Sequence, residues 1–395
     1  MSAAGSLAPT RERAFLAAVA LAARVGFVAA ASAATGVAWR DLALRYDGHC
    51  YILIASTIPR LYVGAPPLFP ALRDPAFLTG WFPLYPALIR AASGLTGGLR
   101  AAALVVSWVS SAAATVLFHR LAGRFSSRPG LMTLVFIFFP PMWLVAGSLG
   151  FVEPVFVCAA IAAVLAALED RPWACAAAAA VAVLAQKWGL IVPAIVLLIV
   201  LDRGGLAEAR RFRPVLLSLV PLAALQAYLG AVFHDPFVNL RVARENFGGT
   251  LLGFPFASLL RGLTHPLVPS DIFGRVCLIA NAVVYSAVAV VAWRRGVRAQ
   301  RPLLIWLTAT LSFVFCLGGG DYEAYNFPRF LLLAAPAAIL LLEPFAPRKP
   351  SLAALAAPLA ILPFIFGIIE VARTEAILRR SGLVSVLAAE SAVLR

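Results

Sequence analysis

The sequence predicts an all-α polytopic membrane protein, and three observations carry that prediction. Only 13% of its 395 residues are charged and 62% are hydrophobic, against about 25% charged in an ordinary soluble chain. Apolar runs of roughly 17 to 22 residues recur along it, each long enough to cross a bilayer as a helix. The polar–apolar alternation of a β-barrel is absent, so a lipid-embedded backbone here must satisfy its hydrogen bonds inside helices.

About eleven spans follow in order: 14–36, 101–118, 130–149, 152–168, 172–185, 188–201, 214–232, 275–293, 302–318, 329–346 and 351–370. Arg11 and Arg13 precede the first, and "ASA" at 31–33 raises the alternative of a cleaved signal. The apolar stretch outruns a typical signal core, so an uncleaved span is expected. The pair between 172 and 201 is short, and Pro193 inside it allows a broken or re-entrant helix. No period of 20 to 50 residues repeats, which sets aside a solenoid, and no duplicated half of the kind many transporters carry is visible. One integral-membrane domain over 1–395 is expected.

The net charge of +15 comes from 33 Lys/Arg against 18 Asp/Glu, and all but two of the 33 are arginine. They are spread among short loops, so they read as topology and attraction to anionic lipid rather than as a nucleic-acid surface. With the N-terminus in the cytosol, the inside segments hold 16 Lys/Arg: Arg11, Arg13, "HRLAGRFSSRPG", "EDRP", "DRGGLAEARRFRP", "WRRGVRAQRP" and "PRKP". Asp41, Asp47, Asp74, Glu153, Asp235, Glu245, Asp271, Asp321 and Glu323 then fall outside, as the positive-inside rule favours. The five cysteines show no CxxC spacing and fit neither a disulfide framework nor a zinc site.

Two non-cytoplasmic segments are long, 37–100 and 233–274, and long loops in compact proteins are usually functional. The first holds "RYDGHCYILIAS" (45–56), where Gly48 permits a tight turn and places Asp47 at the bilayer edge beside Arg45 and His49. Such a carboxylate can serve as general base on a hydroxyl, or pair with Arg45 or Arg40. His49 can be base, metal ligand, hydrogen-bond donor or structural. Further along, "WFPLYPALIRAASGLTG" (81–97) predicts a short interfacial helix with Leu84, Tyr85, Leu88 and Ile89 on its apolar face. Glu153, between two spans, is costly unless paired or facing water, and Lys187 is a candidate partner, phosphate ligand or snorkelling cation. The second loop carries His234, Asp235, Arg241, Arg244, Glu245 and Asn246. "GGGDYEAYNFPRF" (318–330) ends in Arg329 at a helix start, where a lipid phosphate can sit. There is no GxSxG, HExxH, Rossmann or P-loop signature.

Several of these stretches, in order, resemble the GPI mannosyltransferase 2 family (the phosphatidylinositol-glycan class V type) and its bacterial relatives, which are GT-C glycosyltransferases. Arg45, Tyr46, Asp47, Tyr51, Ile54 and Ala55 fit the family's arginine-aromatic-aspartate motif, and Phe82, Pro83, Tyr85 and Pro86 its Phe-Phe-Pro-x-x-Pro-like stretch. "GSLGFVEPVF" is similar to its Tyr-x-Glu-x-Leu-Phe segment at Glu153 and Phe156. "LAQKWGLIVP" is similar to its Thr-Arg-x-x-Gly segment, with Lys187 in place of arginine, and "NFPRFLLLAAP" to a later helix at Arg329 and Phe330.

The resemblance implies a GT-C-like fold and a polyprenyl-phosphate-linked sugar donor, mannose above all. It implies inverting transfer to a lipid or glycan hydroxyl on the non-cytoplasmic face of a plasma membrane. It makes Asp47 the catalytic base, with Arg45, His49, Tyr51, Trp81, Phe82, Tyr85, Glu153, Lys187, Arg244 and Arg329 as substrate-binding candidates. No cofactor is required; a divalent metal, used by some GT-C enzymes, stays open. A lipid or sugar transporter would instead place acids mid-span, and a GT-C-like scaffold subunit would be indifferent to loss of Asp47.

Overall fold

A computed structural model describes residues 7–63, 76–247, 253–264, 272–317, 327–345 and 352–380, and among these residues every regular element is helical. The helices are α1 (Leu7–Thr35), α2 (Gly48–Thr57), α3 (Leu84–Thr96), α4 (Leu99–Phe125), α5 (Pro129–Phe138), α6 (Pro141–Ser148), α7 (Glu153–Leu168), α8 (Pro172–Ala185), α9 (Ile191–Arg211), α10 (Val220–Phe233), α11 (Val238–Phe247), α12 (Ala257–Thr264), α13 (Ile272–Arg295), α14 (Arg301–Phe315), α15 (Phe327–Phe330), α16 (Ala335–Leu342) and α17 (Leu352–Arg380). Each expected span lies on a helix or on adjoining helices.

Among the described residues, five stretches are long and apolar enough to cross a membrane: Thr10–Thr35, Leu99–Phe125, Lys187–Arg211, Arg213–Phe233 and Arg275–Arg295. The bent pair α5–α6 makes a sixth if taken as one span. Of the other expected spans, 351–370 lies on the 29-residue α17, and the rest are shorter or interrupted helices. Apolar side chains exposed on these helices, such as Val109, Val283, Val284 and Ile365, suit a lipid solvent rather than water.

Proline punctuates the bundle. Pro129, Pro141 and Pro172 each sit in the first turn of a helix, where the missing N–H costs nothing. The broken span falls at residues 139–140, where α5 and α6 meet at 69°. It does not fall at Pro193, which lies in the first turn of α9, because a proline there forfeits no intrahelical bond; α9 kinks instead at Gly205, φ +65.

Two compact units are evident, Met1–Ile161 with Pro347–Arg395, and Ala162–Ala346. In the first, α1 packs against α4, α5, α6 and α17. Phe27 of α1 meets Phe364 of α17 edge-on at 5.8 Å. A Cβ on Gly367 would press on Phe27 and on Val145 of α6, so glycine there lets the helices close in. Arg24, in the middle of α1, is fully buried. Its Nε donates to Ser111 Oγ of α4 at 3.0 Å, and its guanidinium lies 5.6 Å from the Trp143 ring centroid in α6. In the second unit, α9 and α13 pack on α14, and α14 on α16.

Candidate active site

The first unit gathers its chemistry around residues 41–51. Gly36, at φ +69, closes α1, and a 3-10 turn, Asp41–Leu44, buries Leu42, Ala43 and Leu44. Arg100 of α4 pairs with Asp41, which ties the turn to the bundle. Asp47 then occupies the N-cap of α2, yet its side chain makes no capping bond. An N-cap aspartate usually spends its carboxylate on the helix N–H groups; here its charge acts on His49 in the first turn of α2.

The turn is built differently from the sequence expectation. The left-handed residue is Tyr46, at φ +55, rather than Gly48. Gly48 is required for space instead. A Cβ there would drive into the Ala43 carbonyl oxygen and come within 3.3 Å of the Gly150 carbonyl oxygen, and a Cβ on Gly150 would lie 2.9 Å from the same Ala43 oxygen. The Ala43 peptide is thus enclosed by two glycines, and the Asp47 turn sits directly on the loop leading to Glu153.

Arg45 apart, the other predicted residues of this unit lie on α2, on α7, and on or just before α3. His49 is half-buried, with Nε2 3.2 Å from Cys50 Sγ. Burial lowers its pKa below the usual 6.5, while the nearby Asp47 carboxylate pulls the other way. Tyr51, 4% exposed, meets fully buried Tyr85 edge-on at 5.0 Å. The Tyr85 hydroxyl lies 2.8 Å from the Ala103 carbonyl and 2.8 Å from Ser107 Oγ, which lies 2.8 Å from the Phe151 carbonyl. Burial raises the Tyr85 phenol far above its usual range. The Ser107 bond opposes that rise and the charge of Glu153 adds to it. Glu153 is 1% exposed and opens α7, where the helix dipole favours a carboxylate. Phe82 is buried; Trp81 is half-buried, and its carbonyl accepts from the Tyr62 hydroxyl at 2.8 Å. α3 turns Tyr85 and Ile89 into protein, against α4, and leaves Leu88 more exposed.

Arg45 is buried and pairs with Glu375 of α17 at 2.8 Å. Thr374 donates to the Tyr46 hydroxyl at 3.0 Å, and the Tyr46 ring stands 5.0 Å from that of Phe151. The C-terminal helix therefore runs past residue 370, with its 374–375 turn at the same end of this unit as Asp47. Sequence reading missed Glu375, Thr374 and Ser107. The repeated acids in "EVARTE" at the end of the last apolar run were the available signal for Glu375. Arg24, a lone charge within an apolar run, was legible and also passed over.

The second unit holds the predicted cations. Lys187 begins a 3-10 turn, Lys187–Leu190, with Nζ 4.4 Å from the ring centroid of Trp188. Trp188 contacts Phe313 and Phe330, each at 5.6 Å, and Arg329, next to Phe330 in the chain, is buried. Arg244 lies exposed on α11, where its neighbour Arg241 pairs with Asp235 and Glu245. Asp74, Asp271, Asp321, Glu323 and the tail beyond 380 lie outside the described residues. Among the described residues no group of three or more His, Cys, Asp or Glu could hold a metal ion.

No family model matches the sequence, and no curated protein matches it. Among solved structures the chain is similar to the crystal structure of ArnT from Cupriavidus metallidurans bound to undecaprenyl phosphate. The TM-score is 0.51 with 18% identity, over 92% of this chain and 73% of that one. That likeness shows the fold: an all-helical, multi-pass integral membrane architecture.

Proposed function

We propose that this protein is a membrane glycosyltransferase of the GT-C kind. In this reading it moves a sugar, mannose, from a polyprenyl-phosphate donor to a hydroxyl of a lipid or glycan acceptor on the non-cytoplasmic face, with inversion. The observation that carries the reading is Asp47, an aspartate beside His49 at the start of α2, in a turn enclosed by Gly48 and Gly150. The fold shared with a polyprenyl-phosphate-bound protein and the family motifs around Asp47 support it.

In the proposed reaction Asp47 takes the proton of the acceptor hydroxyl. The acceptor oxygen bonds to the anomeric carbon from the face opposite the phosphate, the carbon–oxygen bond to phosphate breaks, and polyprenyl phosphate leaves with the electron pair. Charge building on the phosphate calls for cations, for which Lys187, Arg329 and Arg244 are the candidates. Half-buried His49 would orient hydroxyls and half-buried Trp81 would supply aromatic surface near the sugar, while Glu153, Tyr51, Phe82 and Tyr85 are buried and would support the site from within the protein.

The test is transfer in nanodiscs from a panel of radiolabelled polyprenyl-phosphate sugars to a membrane lipid extract. Labelled product from the mannosyl donor above all others is expected. Product from another sugar would keep the reaction class and replace mannose. Labelled donor crossing a sealed vesicle without product would favour transport instead.

A further inference from the structure

We propose that Glu375 and Thr374, on the C-terminal helix, are positioning residues that set the Asp47 carboxylate in its working direction, and that Arg45 serves this clamp rather than the substrate. The proposal rests on Asp47 being the base. Two contacts carry it. Arg45 and Glu375 meet at 2.8 Å with both side chains 7% exposed, and Thr374 donates to the Tyr46 hydroxyl at 3.0 Å. Residues 45 and 46, immediately before Asp47, are thus both fixed to one turn of α17.

Backbone strain makes that fixing necessary. Tyr46 holds φ +55, a conformation a bulky side chain avoids and keeps only where its surroundings over-determine it. Those surroundings are identifiable: Thr374 on the hydroxyl, Phe151 against the ring and the Glu375 pair on the preceding residue. Relaxation of Tyr46 to negative φ would swing the next residue, Asp47, away from its place. The anchor is itself secure, since Val371 is buried and Gly367 is pressed against Phe27 of α1. A buried ion pair is weak support for stability but well suited to fixing register, and here the register is that of the base.

The experiment compares Glu375→Gln, Glu375→Asp and Thr374→Val in the transfer assay, each alone and on an Asp47→Asn background, with hydrogen exchange read over residues 44–50. Expected are falls in kcat of about tenfold to 100-fold for Thr374→Val and Glu375→Gln, as a misplaced reacting group produces. KM should hold within about twofold, since the interaction is lost from the transition state, with substantial recovery in Glu375→Asp. On Asp47→Asn neither should cost anything further, and exchange over 44–50 should rise.

Wild-type kcat in folded Thr374→Val and Glu375→Gln, or losses that multiply with that of Asp47→Asn, would overturn the proposal. Unchanged exchange in Thr374→Val would contradict the clamp whatever the activity, and that variant decides if Glu375→Gln does not fold. Full activity in Asp47→Asn itself would instead remove the base, a separate failure.

Discussion

Gly48→Ala tests whether the Asp47 turn is held as tightly as its geometry implies. The added Cβ would meet the Ala43 carbonyl oxygen, which is backbone, and the Gly150 carbonyl oxygen at 3.3 Å, also backbone. No rotamer change can clear either. Ala43 is fully buried in its 3-10 turn, and Gly150 already stands close to the same oxygen, so the turn must move as a whole. Overpacking of a filled interior costs about 1–3 kcal/mol, and backbone obstruction on both sides places this case at the upper end.

Gly26→Ala is the control. It lies in the interior of α1 with nothing within 4 Å of its added Cβ, and alanine in a helix should gain about 0.5–1 kcal/mol. The assay is thermal unfolding of purified protein in one detergent, paired with turnover. Gly48→Ala should unfold at lower temperature and lose most of its turnover, while Gly26→Ala unfolds no lower than wild type. A Gly48→Ala protein as stable and as active as wild type would refute the enclosed-turn argument.

Two further outcomes follow from the same structure. Tyr85→Phe keeps the ring against Tyr51 but strips the hydroxyl shared with Ser107 and the Ala103 carbonyl; with Ser107 still bonded to the Phe151 carbonyl, the loss should cost about 0.5–1.5 kcal/mol, read as a lower unfolding midpoint. His49, held below its usual 6.5 chiefly by burial, binds fewer protons folded than unfolded, so stability is lost as pH falls through 6.5 and continues falling toward the folded value; His49→Gln should flatten that acid-side loss in unfolding curves taken between pH 7 and 5.

What could be read from the sequence tracks where the physical signal is local. Span positions were legible because twenty apolar residues in lipid have one good conformation, and α1, α4 and α13 lie where the apolar runs put them. Asp47 drew attention because a carboxylate between apolar runs is costly, and the family resemblance is what singled it out as the base. The break in 130–149 was not, since two adjacent prolines at 140–141 give no bend angle, whereas Pro193 drew attention and sits harmlessly in a first turn. Gly48 was recognised as necessary for the wrong reason: sequence suggests backbone freedom, while the structure requires room for the Ala43 carbonyl. The pairing of Glu375 with Arg45 was out of reach because the two are 330 residues apart in the chain, and only packing of α17 on α1 brings them together.

Asp47, as the base of a glycosyl transfer, is open to a direct test. The direct measurement is single-turnover transfer from polyprenyl-phosphate-mannose by wild type and Asp47→Asn, reconstituted in nanodiscs at equal folded amount and with donor binding measured in parallel. The variant should bind donor with near-wild-type affinity and form product at least about 100-fold more slowly, the low end of what a positioned general base supplies. Product formed by Asp47→Asn at the wild-type rate would contradict that role.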